Sequence, residues 1–146
     1  MTNSVKNKSD TDAARMTEVR VLIVDDQRTM RKIIRDLLGQ AGINEVVEAD
    51  GGAVAMRFLE APQAELPHIV IFDLSLDKDD GRDFCNRIRR HERPEISRLP
   101  VLNLCGDGDI KRHELSRQAG ATKVLTKPIS WLDLAREIHQ AIGFSG

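Results

Sequence analysis

The feature that most constrains this chain is an alternation that runs through it five times. A short apolar run rich in β-branched residues is followed by a polar break and then by a segment with helical apolar spacing. The first run, VRVLIV at residues 19–24, has the composition of a strand buried on both faces. After it Met30, Ile33, Ile34, Leu37, Leu38 and Ala41 recur at i, i+3, i+4, i+7, i+8 and i+11, one apolar stripe along a helix, and Gly42 is placed to stop it. The alternation continues with EVVEA (45–49) and a helix over 52–60, then HIVIFD (68–73) and a helix over 81–91. LPVLNLC (99–105) and a polar helix over 109–119 follow, then KVLT (123–126) and a helix over 131–142, where Ser130 and Asp133 form a capping-box-like start.

Strands joined to helices by short links cannot pair as hairpins. They require right-handed crossovers, and hence a parallel sheet with both faces covered. The predicted fold is α/β: a doubly wound, flavodoxin-like (βα)5 three-layer sandwich around a central five-stranded parallel sheet. Residues 1–18 are polar and hold too little apolar surface to offset the entropy of ordering, so they are expected to be a disordered tail, with 19–146 forming one domain. The net charge of −1 gives no bulk attraction to DNA or an anionic membrane. No apolar run approaches the roughly 20 residues that span a bilayer, and no signal peptide is visible. Two cysteines, Cys85 and Cys105, lack metal-ligand spacing and read as buried free thiols. A cytoplasmic monomer or weak dimer is expected.

In open parallel sheets the reactive crevice lies beyond the carboxyl ends of the strands. Here the first strand ends in Asp25 and Asp26, the third in Asp73, the fourth in Cys105, Gly106 and Asp107, and the fifth in Thr126, Lys127 and Pro128. Three carboxylates and one ammonium should converge on that rim. Clustered carboxylates repel unless a cation sits among them, and Mg²⁺ needs only one or two carboxylates plus water and a phosphate oxygen. A lysine opposite the metal suggests a phosphoryl group whose charge the two cations share, and Asp73 is itself a competent nucleophile. Any single strand-end Asp is more often a cap or turn former; the coincidence of three such ends carries the reading.

With VDDQRTMRKIIRDLL, FDLSLDKDDG, LPVLNLCG and TKP in place, the chain from Val19 to about Ile142 resembles a response-regulator receiver domain, and its first helix is similar to single-domain regulators of the CheY type. The resemblance implies a signalling module rather than an enzyme with an external substrate. Asp73 would accept a phosphoryl group from a sensor histidine kinase or histidine phosphotransfer protein, and a downstream protein target would read the result, in a two-component or phosphorelay system related to chemotaxis. It also implies Mg²⁺ (or Mn²⁺) held by Asp26, Asp73 and the Ser75 carbonyl, with Asp25 acting mainly through water. Lys127 would contact the phosphoryl oxygens and precede a cis proline, and Ser75 and Asp107 would tune hydrolysis.

The departures are as informative. Cys105 stands where the family usually has a hydroxyl, and Val124 where it usually has an aromatic ring, so the relay between them is expected to be atypical; the Gly106 amide could still bind the phosphoryl group. Asp77 replaces a common proline, while Asp79 and Asp80 read as solvated charge. A calcium loop fails on spacing, since Gly81 would fall at position five and Ile88 at position twelve. Arg82, Arg87, Arg89, Arg90, Arg93 and Arg98 line the third helix and its exit as a solvated basic face. The sharper alternative is a phosphorylation-independent adaptor that binds an acidic partner or an anionic nucleotide second messenger there. A phosphoryl-handling hydrolase is a third class, disfavoured by Ser75 where a second acid would be needed. His68 and Cys85 read as structural.

Overall fold

The computed structural model describes residues 16–62, 65–73, 80–106 and 110–143. Five parallel strands, β1 (Arg20–Val24), β2 (Glu45–Ala49), β3 (Ile69–Asp73), β4 (Val101–Cys105) and β5 (Lys123–Thr126), form one sheet in the order β2-β1-β3-β4-β5. The helices are α1 (Arg28–Gln40), α2 (Gly52–Glu60), α3 (Asp80–Arg89), α4 (Ile110–Ala119) and α5 (Trp131–Ile142). The predicted doubly wound sandwich is the observed one, with boundaries within about two residues of those read from the sequence. Two short helical stretches escaped prediction: residues 16–18, inside the stretch expected to be a disordered tail, and a single turn, Pro94–Ser97, between α3 and β4.

Alternation along the strands divides the core into two layers. Leu22, Val24, Val70, Phe72 and Val101 face one way and meet Met56 and Leu59 of α2 and Phe84 and Ile88 of α3. Val21, Ile23, Ile69, Ile71, Leu102 and Leu104 face the other way and meet Ile34 and Leu38 of α1 and Leu134 and Ile138 of α5. Met16 packs at the margin of this second layer. The strands β3 and β4 are buried along their full length, which explains why they read as continuous apolar runs rather than as alternating ones.

Local signals hold the helices in place. Gly42 takes φ +88° just after α1, a left-handed conformation that glycine adopts at no steric cost. At the start of α5, Ser130 Oγ accepts from the Asp133 amide at 3.1 Å. His68 is structural as expected: its amide donates to Arg20 O at 2.8 Å, and its Nδ1 accepts from the Arg20 amide at 2.9 Å. Among the described residues, no helix is long and apolar enough to cross a membrane.

Candidate functional site

The rim at the carboxyl ends of β1, β3 and β5 gathers Asp25, Asp26, Asp73 and Lys127. Asp73 closes β3 and is completely buried, because both faces of that central strand are covered. Lys127 reaches it from beyond β5, with Nζ at 3.1 Å from Oδ1 and 3.0 Å from Oδ2. The Lys127 amide donates to Cys105 O at 2.8 Å, and the Lys127–Pro128 bond is cis, as the resemblance implied.

Asp25 is also fully buried. Its Oδ1 accepts from the Gln27 amide at 2.8 Å, supplying the cap that Gln27's own side chain does not give α1. Arg31 Nη1 donates to the Asp25 carbonyl at 2.7 Å. The other carboxylate oxygen, Oδ2, is buried with no hydrogen-bond partner among the described residues. Burial pushes the Asp25 pKa up to about 7; the Gln27 amide opposes this, while the Asp73 and Asp26 carboxylates add to it. Asp26, by contrast, is exposed.

These residues fit a hard divalent cation. An orphaned carboxylate oxygen lies in a cluster of like charges that a cation would relieve, and every donor is oxygen. Among the described residues no three acidic, cysteine or histidine side chains close into a ligand cage. An ion held by Asp26 and Asp73 would therefore keep several of its waters, and Asp25 would reach it mainly through one of them. Ser75, Asp77, Asp79 and Asp107 lie outside the described residues.

Cys105 is buried at the end of β4 and Gly106 beside it is exposed. Val124 is half-buried and lies opposite Asn103 in the β4–β5 ladder, not at the rim. An apolar groove of about 440 Å³ runs from the rim along α1, between Met30, Ile33 and Leu37 on one side and Pro128 and Ile129 on the other, with Lys127 at its head. The α1 stripe is thus shared: Ile34 and Leu38 enter the core while Ile33 is 46% exposed.

The basic face on α3 is not a uniform patch. Arg82 and Arg93 are partly buried, Arg93 is paired with Glu95, and Arg87, Arg90 and Arg98 are exposed. Arg89 must be withdrawn from it as a ligand-binding group. It is half-buried, and its guanidinium donates to Gly120 O at 2.8 Å, Ser97 O at 3.0 Å, Leu99 O at 2.7 Å and Thr122 Oγ1 at 3.3 Å. Position on the helix decides this: Arg89 follows Ile88 on the side that meets the sheet, where its fork finds three open carbonyls in two turns. Sequence reasoning also passed over Asn103, although a lone amide inside LPVLNLC is a visible anomaly in a strand buried on both faces.

Fold and rim define a class: a parallel α/β protein with a buried, lysine-paired aspartate at the end of its central strand. Residues 21–139 match the response regulator receiver domain family, and the chain belongs to it. Receiver domains are signalling modules. The chain is 31% identical over 122 residues to chemotaxis protein CheY-3 of Vibrio cholerae, covering 84% of this chain and 90% of that one. A response regulator receiver domain protein from Clostridium thermocellum superimposes with a TM-score of 0.71 at 29% identity, over 86% of this chain and 94% of that one. The receiver domain of a sensor histidine kinase from Pseudomonas aeruginosa, solved with magnesium coordinated in its active-site cleft, gives 0.73 at 26% identity, over 86% and 98%.

Proposed function

We propose that this protein is a phosphorylated signalling switch in a two-component or phosphorelay pathway, with Asp73 as the phosphoacceptor and chemotaxis as the pathway class nearest to hand. The observation that carries the reading is the pairing of fully buried Asp73 with Lys127 next to a second buried carboxylate, Asp25. Nothing in the packing of the sheet requires that arrangement, and it is costly unless a ligand uses it.

In the proposed step an Asp73 oxygen attacks the phosphorus of a phosphohistidine. The O–P bond forms as the P–N bond breaks, and the leaving imidazole keeps the electron pair and takes a proton from solvent. Lys127 holds the carboxylate through both oxygens before attack, then stays within reach of the phosphoryl oxygens as charge moves onto them. A bound Mg²⁺ or Mn²⁺ would supply the second positive charge, held by Asp26, Asp73 and the Ser75 carbonyl, with Asp25 acting mainly through water. The apolar groove along α1 is where a donor protein would lie, since it ends at Lys127. Burial of Asp73 keeps bulk water from competing with the donor.

Incubation with acetyl phosphate and Mg²⁺ followed by intact mass measurement tests the reading. The wild-type chain should gain the mass of one phosphoryl group and Asp73→Asn should gain none. Equal gain in both, or none in the wild type, would overturn it.

A further inference from the structure

We propose that the buried contact between Asn103 and Ser116 is a latch that holds α4 against β4, and that opening this latch is the way the chain changes shape. The proposal goes beyond the reading of Asp73 and does not rest on it. Asn103 occupies the middle of a strand whose five residues are all buried, on the face shared with Val101 and Cys105. Its Nδ2 donates to Ser116 Oγ on α4, and its Oδ1 has no hydrogen-bond partner among the described residues. The other polar neighbour of the amide is the Cys85 thiol, a weak hydrogen-bonding group. Such an orphan destabilises the fold, and a leucine at this position would avoid it. The amide is therefore a poor choice for static packing and a reasonable one for a contact that has to open.

On the side chains that are described, the helix at the other end of the contact buries little apolar surface. Of its side chains described from Glu114 to Ala119, only Ser116 and Ala119 are buried. By contrast α1 buries Ile34 and Leu38, α3 buries Phe84 and Ile88, and α5 buries Leu134 and Ile138. Segments with few buried apolar contacts open at the lowest free energy. Space lies alongside as well: a cavity of about 560 Å³ is lined by Glu114, Arg117, Gln118, Thr122, Lys123 and Val124. Asn103 also sits where a strand-end event would be felt. It is two residues from Cys105, whose carbonyl holds the Lys127 amide, and directly opposite Val124 in the ladder. Valine there is too small to plug the cavity, so the buried amide, not a ring, sets the position of α4.

Hydrogen exchange read by mass spectrometry on the full chain tests the latch without any phosphoryl donor, so its outcome is independent of Asp73 chemistry. Ser116→Ala should speed exchange in α4 by roughly tenfold while β1 and β3 keep wild-type rates. Unchanged α4 exchange, or the same acceleration in every element, would overturn the proposal. The double variant Asn103→Leu, Ser116→Ala removes both polar partners and should bring α4 exchange back to the wild-type rate or below it. Exchange as fast as in Ser116→Ala alone would again overturn it.

Discussion

Arg89, on a helix that covers the sheet, and Asp25, at the end of a strand within it, are both ionisable and both largely withdrawn from water, yet their surroundings are opposites. The Arg89 guanidinium donates to three backbone carbonyls and one hydroxyl, joining α3 to the turn before β4 and to the segment between α4 and β5. Asp25 has one oxygen engaged and the other orphaned, with two further carboxylates adding to the like charge around it. A buried charge whose bonding capacity is filled by its own chain belongs to the scaffold. One left short of partners is a site held open for something from outside, and stability is given up to keep it so.

The largest test of this contrast is Arg89→Met, which keeps the stem but strands the Ser97, Leu99 and Gly120 carbonyls. A loss of about 3 kcal/mol is expected in urea unfolding, with phosphoryl incorporation at Asp73 unchanged in the folded fraction. A wild-type midpoint would return Arg89 to the solvated face. Next in size is Gly120→Ala. Gly120 has φ +116°, and a Cβ there would lie 2.6 Å from Arg89 Cγ, so the substitution strains the backbone and displaces the guanidinium stem together. A loss of roughly 2 kcal/mol is expected. Because both changes act on one hub, their combination should cost less than the sum, and strict additivity would show that Gly120 acts through its backbone alone.

How much of this could be read beforehand follows the same division. The fold was legible because five strand-helix alternations with short links leave few topologies open, and the rim was legible because topology sends Asp25, Asp73 and Lys127 to one edge whatever their side chains do. Arg89 was not legible. Its neighbours Arg87 and Arg90 have the same chemistry and face solvent, and only the helix's rotation against the sheet separates them. The α1 stripe was over-read for a related reason: helical spacing marked Ile33 as apolar but could not tell that it borders a groove instead of entering the core. The Pro94–Ser97 turn escaped because four residues are too few to show periodicity.

On the open side of the comparison the sign should reverse. Asp25→Asn keeps the side chain's shape and the oxygen that accepts from Gln27, but removes a charge that burial and the neighbouring carboxylates disfavour. In metal-free buffer the variant is expected to be more stable than wild type by about 1 kcal/mol, while Mg²⁺ affinity measured by calorimetry falls by roughly an order of magnitude. Destabilisation by Asp25→Asn would mean that the carboxylate is satisfied by the fold, and the distinction from Arg89 would collapse.

A comparable effect, confined to high pH, belongs to Cys85, which lies beside Arg89 on the scaffold side. Burial raises its thiol from an ordinary 9.0 to about 11, with Asn103 and the Arg89 charge pulling slightly the other way. The sign of the linkage is fixed by which state keeps the proton. Between pH 9 and 11 the unfolded chain loses it and the folded chain retains it, so stability falls as pH rises, and below pH 9 the thiol contributes no slope. The expected size is about 1.4 kcal/mol per pH unit in that window. Cys85→Ala leaves a small cavity and starts from a lower stability, but it should lack this component of the slope. Lysines and arginines titrating in the same range are common to both proteins and cancel in the difference. Urea unfolding at pH 8.5 and pH 10 reads the difference directly; parallel curves would mean that water reaches the thiol in the folded state, and that the layer around Arg89 is looser than its hydrogen bonds imply.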